Sequence, residues 1–315
     1  MNMAEDINTR RSSMTGKTSG NHPEEPRPNR GRRTHYGEEY LDGRREELKG
    51  KGTVFDDKLG EEYRRVWHDK TETVRKQQTL DTIQDLPVHD ITFERVDSKS
   101  PAAKKWKYIA DNFHYIPHSP SSVKPYGRFL RYFIKVNGEV VGIIAVAGSF
   151  LSLESRDRYI GWNRTQRMKN NRKICQNLIY CIVPAYKVPN LSSRILAKFA
   201  KVVRRDWKEH YGDNLVLMDT LVNPALYKGT SYRAAGWTHV GMTKGFGGKG
   251  VRMDKKGYGP RNMGRVLFRH DIPKMIFIKP LHRYWRKELV DDEKKQEVRY
   301  HVTEDAKTTE KTSPD

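Results

Sequence analysis

Three residue types in this chain stand where side chains could transfer protons. His114 and Tyr115 precede a proline-rich turn, and a histidine there could act as a general base near neutral pH. Asp219 ends an apolar run, where a carboxylate needs a partner and borders the crevice of an α/β sheet. Tyr232 is a candidate hydroxyl donor. A lone histidine is more often structural and Tyr232 suits core packing equally, so these alternatives stay open.

The stretch "YKVPNLSS" joins a predicted buried strand to a predicted long helix and could bind an anion. Free backbone N–H groups at a helix start attract negative charge. Asn190, Ser192 and Ser193 are therefore candidates for holding a charged group. Ordinary capping of the helix by Ser192 would account for the same pattern.

The glycines Gly245, Gly247 and Gly250 match the G-x-G-x-x-G spacing of dinucleotide-binding turns. Such a turn requires a helix directly after it, but the sequence continues "VRMDKKGYGPRNMGR", with further glycines and a proline. We interpret the match as coincidental and predict a flexible basic loop over residues 244–265. The lysines proposed to contact a phosphate backbone are Lys244, Lys249, Lys255 and Lys256.

A second basic segment, "SLESRDRYIGWNRTQRMKNNRK", lies between two predicted strands and mixes arginines with aromatic residues. This mixture suits phosphate contacts and base stacking. A solvated connecting loop is the alternative, although a loop of this length usually has a function. The candidates for nucleic-acid contact are Arg156, Arg158, Trp162, Arg164 and Arg167.

Positive charge is concentrated in the middle of the chain. The formal net charge is +21, and residues 91–290 carry 38 lysines and arginines against 13 acidic residues. A folded segment with that imbalance repels itself unless it meets a polyanion. DNA or another nucleic acid is the expected partner, because phosphate contacts release counterions.

The pattern of elements predicts a mixed α/β sheet with helices packed on it. An alternating run, the turn Asn137-Gly138 and an apolar run indicate a hairpin, followed by strand, helix, strand, helix and two strands. Residues 1–60 and 290–315 are too polar to order themselves. We expect a helical arm over 61–89 and the folded domain over 90–289.

Several classes of protein are disfavoured by composition. The longest apolar runs are too short to span a membrane, and the N-terminus has no apolar signal region. Cys175 and Cys181 fall within one apolar segment and read as core residues, which fits a cytoplasmic protein without disulfides. Ligand spacing for a metal is absent from the sequence.

The order of elements resembles that of GNAT-type acyltransferases, which implies a GNAT-like fold. In that family the loop before the long helix binds the pyrophosphate of coenzyme A through Gln/Arg-x-x-Gly-x-Gly/Ala. Here Pro189, Asn190 and two serines replace the glycines. The cofactor stays unassigned, with acetyl-CoA or a related acyl donor as the candidate and Asn190 and Ser192 as its contacts.

Five ordered motifs across residues 114–281 resemble the DruA-like family, also called domain of unknown function 4338. They are "GRFLRYFI", "SLESRDRYIGW", "VPNLSSRIL", "DWKEHYG" and "GTSYRAAGWTHVGMTKG". Members look like components of the Druantia anti-phage defence system and cargo of mobile elements. The resemblance implies a DNA-binding protein of defence, a mobile element or a phage that acts with other defence-system proteins.

A more distant resemblance is to Mom-like phage proteins, a GNAT-like group that adds a small acyl-derived group to adenine in DNA. The matching positions in this chain are His114, Tyr115, Asn190, Ser193, Gly229, Tyr232 and Ala234. The aspartate of those proteins falls near Asn223, and Asp219 is the nearby carboxylate. The resemblance implies a transferase in which His114 or Asp219 is the base and Ser193 and Tyr232 position groups.

The two leading hypotheses are therefore a DNA-binding defence protein and an enzyme that modifies a base in DNA. A coenzyme A-dependent acyltransferase of small amines is the third. It accounts for neither the charge of residues 91–290 nor the missing glycines.

Overall fold

The computed structural model describes residues 38–51, 53–77, 86–115, 127–252 and 263–290. Helices and strands alternate along most of these ranges. Within the described part of the chain, none of the helices is both long enough and apolar enough to cross a bilayer.

The strands are β1 (Ile91–Arg95), β2 (Phe129–Val136), β3 (Glu139–Gly148), β4 (Ile174–Ile182), β5 (Leu217–Val222), β6 (Thr238–Met242), β7 (Phe246–Arg252), β8 (Met263–Arg269) and β9 (Met275–Pro280). The helices are α1 (Glu38–Gly50), α2 (Asp57–Gln77), α3 (Ala102–Phe113), α4 (Glu154–Ile160), α5 (Arg164–Asn170), α6 (Leu191–Tyr211), α7 (Thr230–Ala234) and α8 (Trp285–Val290). A short 3-10 turn, Asn171–Lys173, joins α5 to β4.

Seven strands form one sheet in the order β1-β2-β3-β4-β5-β9-β6, and β7 and β8 form a separate hairpin. Neighbours in the large sheet are antiparallel except for β4 and β5. The predicted turn between β2 and β3 is present, and Asn137 and Gly138 both have positive φ, as a two-residue hairpin turn requires. The predicted mixed α/β sheet is confirmed.

The parallel pair separates early, and this separation shapes the site. Residues Ile174–Asn177 of β4 pair with Leu217–Thr220 of β5. Strand β4 then continues to Ile182 beside β3, while β5 continues to Val222 beside β9. A gap therefore opens between the carboxyl ends of the two strands. This antiparallel sheet with one diverging parallel pair is the GNAT-like arrangement that the order of elements predicted.

The helices cover both faces of the sheet. On one face α6 packs through Phe199 and Trp207, in a core shared with Met218 and Phe277. On the other face the segment containing α4 packs through Ile160 against Ile174, Leu217 and Ile278, and Trp106 of α3 packs nearby on the same side. Alternate residues of β4, β5 and β9 serve the two cores because successive side chains of a strand point to opposite faces.

Helix α1 differs from the expectation that residues 1–60 lack a fixed structure. Its charged side chains are tied to the β7–β8 hairpin, because Arg269 forms ion pairs with Glu38 and Asp42. Helix α2 begins at Asp57 rather than at residue 61. Gly60 lets the first turn of α2 lie against the backbone of β8, since a Cβ at that position would clash with the carbonyl oxygen of Arg269.

Two segments predicted as loops contain helices or strands in their described residues. The basic segment after β3 forms the short helices α4 and α5, and Asn163 caps α5 through a hydrogen-bonded capping box with Gln166. In the basic segment over 244–265, residues 246–252 and 263–265 belong to the β7–β8 hairpin, and residues 253–262 lie outside the described residues. In both cases pairing with distant parts of the chain outweighs the weak local pattern.

Candidate functional site

A cleft of about 710 Å³ lies in the gap between β4 and β5. Its walls come from the end of α3, both diverging strands, the start of α6 and the segment that leads into α7. Five tyrosines line the cleft: Tyr115, Tyr180, Tyr186, Tyr227 and Tyr232. A cleft of this size, mostly apolar with a few hydroxyl groups, has the character of a ligand site.

Tyr232 is fixed at the floor of the cleft by β4. Its hydroxyl donates to Oδ1 of Asn177 at 2.8 Å, and its ring stacks on Phe277 with centroids 5.7 Å apart. Burial raises the pKa of Tyr232. The predicted hydroxyl donor thus lies in the cleft as a neutral phenol.

Helix α7 reaches this position because Gly229 turns the chain with a φ of +72°. A Cβ at this position would clash with the ring of Phe277, the same ring on which Tyr232 stacks. The left-handed conformation and the close approach both require glycine.

His114 and Tyr115 follow α3 directly and both line the cleft. They are nearly buried, with exposed fractions of 2% and 8%, and their rings are 4.8 Å apart. The hydroxyl of Tyr115 donates to the backbone carbonyl of Leu221 at 3.2 Å. Burial raises the pKa of Tyr115, so it too is a neutral phenol. The structure therefore places three of the sequence candidates, His114, Tyr115 and Tyr232, around one space.

The start of α6 is held by a tyrosine of β4. The hydroxyl of Tyr180 lies 2.9 Å from Oγ and 3.0 Å from the carbonyl oxygen of Ser192. The hydroxyl of Ser193 donates to the carbonyl of Asn190 at 3.0 Å. Ser192 lines the cleft, whereas Asn190 and Ser193 are not among its lining residues. The structure brings one of these three candidates to the cleft.

This helix start does not fit the coenzyme A pyrophosphate as the acyltransferase loop does. Side chains occupy every position of the loop, and Asn190 adopts a φ of +59°, a conformation that favours glycine. Tyr180 already bonds to both the carbonyl and the hydroxyl of Ser192. The residues at this helix start therefore do not fit the pyrophosphate of that cofactor.

Asp219 does not reach the cleft, contrary to its assignment as a candidate base. Its side chain is completely buried and forms an ion pair of 2.7 Å with Arg156. Ser149 also donates a hydrogen bond to it. Burial raises the pKa of Asp219, and Arg156 opposes this shift. With these partners and no exposure, the carboxylate is not accessible to a substrate proton.

Arg156 and Trp162 were also predicted to contact nucleic acid. The structure contradicts this prediction because both side chains are buried. Arg156 is 0% exposed, and Trp162 is 8% exposed beneath the Arg156 guanidinium. Arg167 is partly buried and bonds to Asp157 at 3.2 Å. Arg158 and Arg164 are exposed. All five lie on the α4–α5 side of the sheet, opposite α6.

Among the four lysines of the predicted basic loop, only Lys244 has a side chain within the described residues. Lys244 is half-buried, forms an ion pair of 2.5 Å with Glu154 and lies over the ring of Tyr40. Lys249 is in β7, and its side chain is outside the described residues. Lys255 and Lys256 also lie outside the described residues.

A row of exposed cations on α6 was not among the sequence candidates. Its members are spaced alternately by four and three residues, which places them on one face of the helix. We call these residues the α6 stripe: Arg194, Lys198, Lys201, Arg205 and Lys208. The periodic spacing is visible in the sequence and could have identified it.

The α6 stripe begins two residues after Ser192, which lines the cleft. It extends from Arg194 to Lys208, a length of about 20 Å along the helix. The α6 stripe therefore starts next to a residue that lines the cleft.

A family profile described as Druantia protein DruA matches residues 54–254. No curated protein matches the chain significantly. Among solved structures, a Bacillus subtilis acetyltransferase in complex with CoA is similar at 6% identity, covering 61% of this chain and 100% of that one, with a TM-score of 0.37. An N-acyl amino acid synthase from uncultured soil microbes shares 12% identity over 63% of this chain and 94% of its own, also with a TM-score of 0.37.

Proposed function

Because this chain belongs to the Druantia protein DruA family, we propose that it acts in anti-phage defence by binding DNA. The α6 stripe is the observation that supports the proposal. Phosphates of a DNA backbone attract arginine and lysine and release counterions when bound. We further propose that the protein works in the cytoplasm with other defence-system proteins, as the family name implies.

The side chains of the α6 stripe are exposed, so DNA phosphates can reach them. Lys198 pairs with Asp90 at 3.1 Å, and Arg205 pairs with its neighbour Asp206 at 2.9 Å. The Lys198 and Asp90 side chains are 50% and 60% exposed, and an exposed pair of this kind contributes little stability, so a DNA phosphate can replace Asp90 at low cost. The Arg205 side chain is 73% exposed whereas Asp206 is buried, so we expect Arg205 to contact a phosphate while it stays beside Asp206.

The position of the stripe directs a DNA strand toward the cleft. A backbone that follows α6 to its first turn arrives at Ser192, and the cleft beyond is lined by tyrosines and two exposed lysines, Lys187 and Lys228. Aromatic side chains stack on unpaired bases, and lysines at the edge can bind the adjoining phosphates. We propose that the cleft receives one base turned out of the duplex or taken from a single strand.

The salt dependence of DNA binding tests the proposal. Replacing Lys198, Lys201 and Lys208 with glutamine removes three cations from α6 and leaves the Arg205–Asp206 pair intact. Each lost duplex contact lowers the slope of log affinity against log salt by about 0.9, so the expected loss is about 2 to 3.

The matched control removes three exposed cations from the opposite side of the sheet: Lys105, Arg158 and Arg164. We expect its slope to stay close to that of the wild type. An equal decrease of the slope in both triple variants would show that the α6 stripe makes no particular contribution to DNA binding. Binding that does not depend on ionic strength would contradict the proposal altogether.

The second candidate function is modification of adenine in DNA with a small acyl-derived group. The specific observation in its favour is that His114, Tyr115 and Tyr232 converge in the cleft. Nucleoside mass analysis of DNA from expressing cells tests it, with His114→Gln as the matched variant. An altered nucleoside that disappears with the variant supports an enzyme, and an unchanged profile in the wild type rejects it.

A further inference from the structure

A second cavity, of about 400 Å³, lies on the far side of the turn that follows β5. Helix α2 forms one wall, through Trp67 and Thr71. Asn223 and the next two residues form another, and the segment after β8, with His270 and Asp271, completes it. The residues of this cavity were not assigned a role in the proposed function.

Three side chains that line this cavity carry a buried polar atom with no hydrogen-bond partner among the described residues. They are Nε1 of Trp67, Oγ1 of Thr71 and Nδ2 of Asn223. The three residues are 3%, 6% and 1% exposed. Buried polar atoms are nearly always paired in folded proteins, so three around one cavity need a physical explanation.

Neighbouring contacts fix the orientation of these groups. Oδ1 of Asn223 accepts a hydrogen bond from the backbone N–H of Ala225 at 3.0 Å, which leaves its NH₂ group as the unpaired part. The ring of Trp67 stacks on Tyr63 with centroids 5.6 Å apart. Thr71 lies one turn after Trp67 on the buried face of α2. The orientations of the Asn223 amide and the Trp67 ring are therefore fixed by contacts within the protein.

The chemistry of these groups defines the ligand. An indole N–H and an amide NH₂ can only donate hydrogen bonds, and a threonine hydroxyl can donate as well. The ammonium group of Lys274 lies 4.2 Å from the centre of the Trp67 ring and adds positive charge nearby. The carboxylate of Asp271 is already paired with Arg64 and Arg269. Glu72 also lines the cavity and limits how much negative charge it accepts.

We infer that this cavity binds an oxyanion, a phosphate or carboxylate group whose oxygens accept from Trp67, Thr71 and Asn223. The inference does not depend on DNA binding, because a free anion would satisfy the same donors. A phosphate of a nucleic-acid strand is one source, and a small free anion is the other.

Titration calorimetry with two probes tests this site: inorganic phosphate, and a short oligonucleotide without bases. The key variant is Asn223→Asp, which has the same shape but replaces the NH₂ donor with a carboxylate oxygen. We expect phosphate to bind the wild type and the affinity to fall at least about tenfold in Asn223→Asp, since a bond to a charged group is lost and a repulsion is gained. Thr71→Val, which removes only the hydroxyl, should lower the affinity by a smaller factor.

Thr73→Val is the matched control, because Thr73 is on the exposed face of the same helix and donates to the carbonyl of Asp69. Circular dichroism and the melting temperature show whether each variant is folded. Binding of phosphate alone assigns the site to a free anion, and binding of both probes with loss in Asn223→Asp assigns it to a nucleic-acid phosphate.

Two results overturn the inference. The first is no heat with either probe. The second is binding that Asn223→Asp and Thr71→Val leave unchanged, especially if Thr71→Val raises the melting temperature. That rise is the expected effect of removing an unpaired hydroxyl that no ligand uses.

Discussion

Arg156 and Asp219 form an ion pair of 2.7 Å in which neither side chain is exposed to solvent. The pair joins α4 to β5 on the side of the sheet opposite α6. Nη1 of Arg156 also bonds to Oγ of Ser149 at 2.5 Å, and its Nη2 donates to Asp157 at 2.7 Å. An arginine whose sequence setting predicted a DNA contact is thus part of the framework that holds the sheet and its helices together.

Replacing Arg156 with alanine should lower the free energy of unfolding by about 3 to 5 kcal/mol, because the Asp219 carboxylate would remain buried without its cation. Arg158→Ala, on the same helix but exposed, should change it by less than about 0.5 kcal/mol. Urea unfolding of both variants measures the difference. A similar small effect for the two arginines would contradict the buried pair.

Gly229→Ala should destabilise the protein more than Gly212→Ala does. Both glycines have positive φ, +72° and +76°, but a Cβ on Gly212 meets no atom within 4 Å, whereas one on Gly229 clashes with Phe277. The conformational cost is about 1 to 2 kcal/mol in each case, and the clash adds about 1 to 3 kcal/mol at Gly229 only. Thermal unfolding reports the difference, and equal losses would show that the close approach is absent.

Stability should fall as the pH drops from 6.5 toward 4 because of His270. Burial, followed by the nearby Lys274, lowers its pKa to about 4, while Asp271 acts in the opposite direction. Between these pH values the unfolded chain binds a proton that the folded chain does not, so the loss amounts to about 3 kcal/mol. His270→Asn keeps an acceptor for the N–H of Ile272 and should remove this part of the pH dependence. The contribution is measured as the wild-type minus variant unfolding free energy, and a difference that does not vary with pH would refute it.

Arg269→Ala should release α1 without unfolding the domain. Arg269 is the residue that pairs with Glu38 and Asp42 of α1, and those partners are largely exposed. Each such pair contributes no more than about 1 kcal/mol, so the effect stays local. Hydrogen exchange should become faster over residues 38–50 and stay unchanged over α6. Unchanged exchange in α1 would mean that other contacts hold it.

The parts of the fold that the sequence predicted are those with strong local patterns. The Asn137-Gly138 turn, the buried strand β4 and the amphipathic helix α6 each follow from neighbouring residues. Helices α4 and α5 are seven residues each, and their position depends on the distant Asp219 and on capping. Short polar helices of this kind have little stability of their own, so periodicity does not reveal them.

The same distinction applies to the site. His114, Tyr115 and Tyr232 precede or follow recognisable elements and were found from the sequence. Tyr180 looked like one more member of an apolar strand, because only the separation of β4 from β5 turns that side chain into a wall of the cleft. Asp219 was misassigned because its partner, Arg156, is 63 residues away in the chain.

Helix α2 contributes Val74 to the large cleft and Trp67 and Thr71 to the small cavity. These residues are spaced by four and three positions and lie along one side of the helix, so both compartments share α2 as a wall. If an occupant of one compartment displaces α2 and thereby changes the affinity of the other, thermodynamic linkage makes the factor the same in both directions.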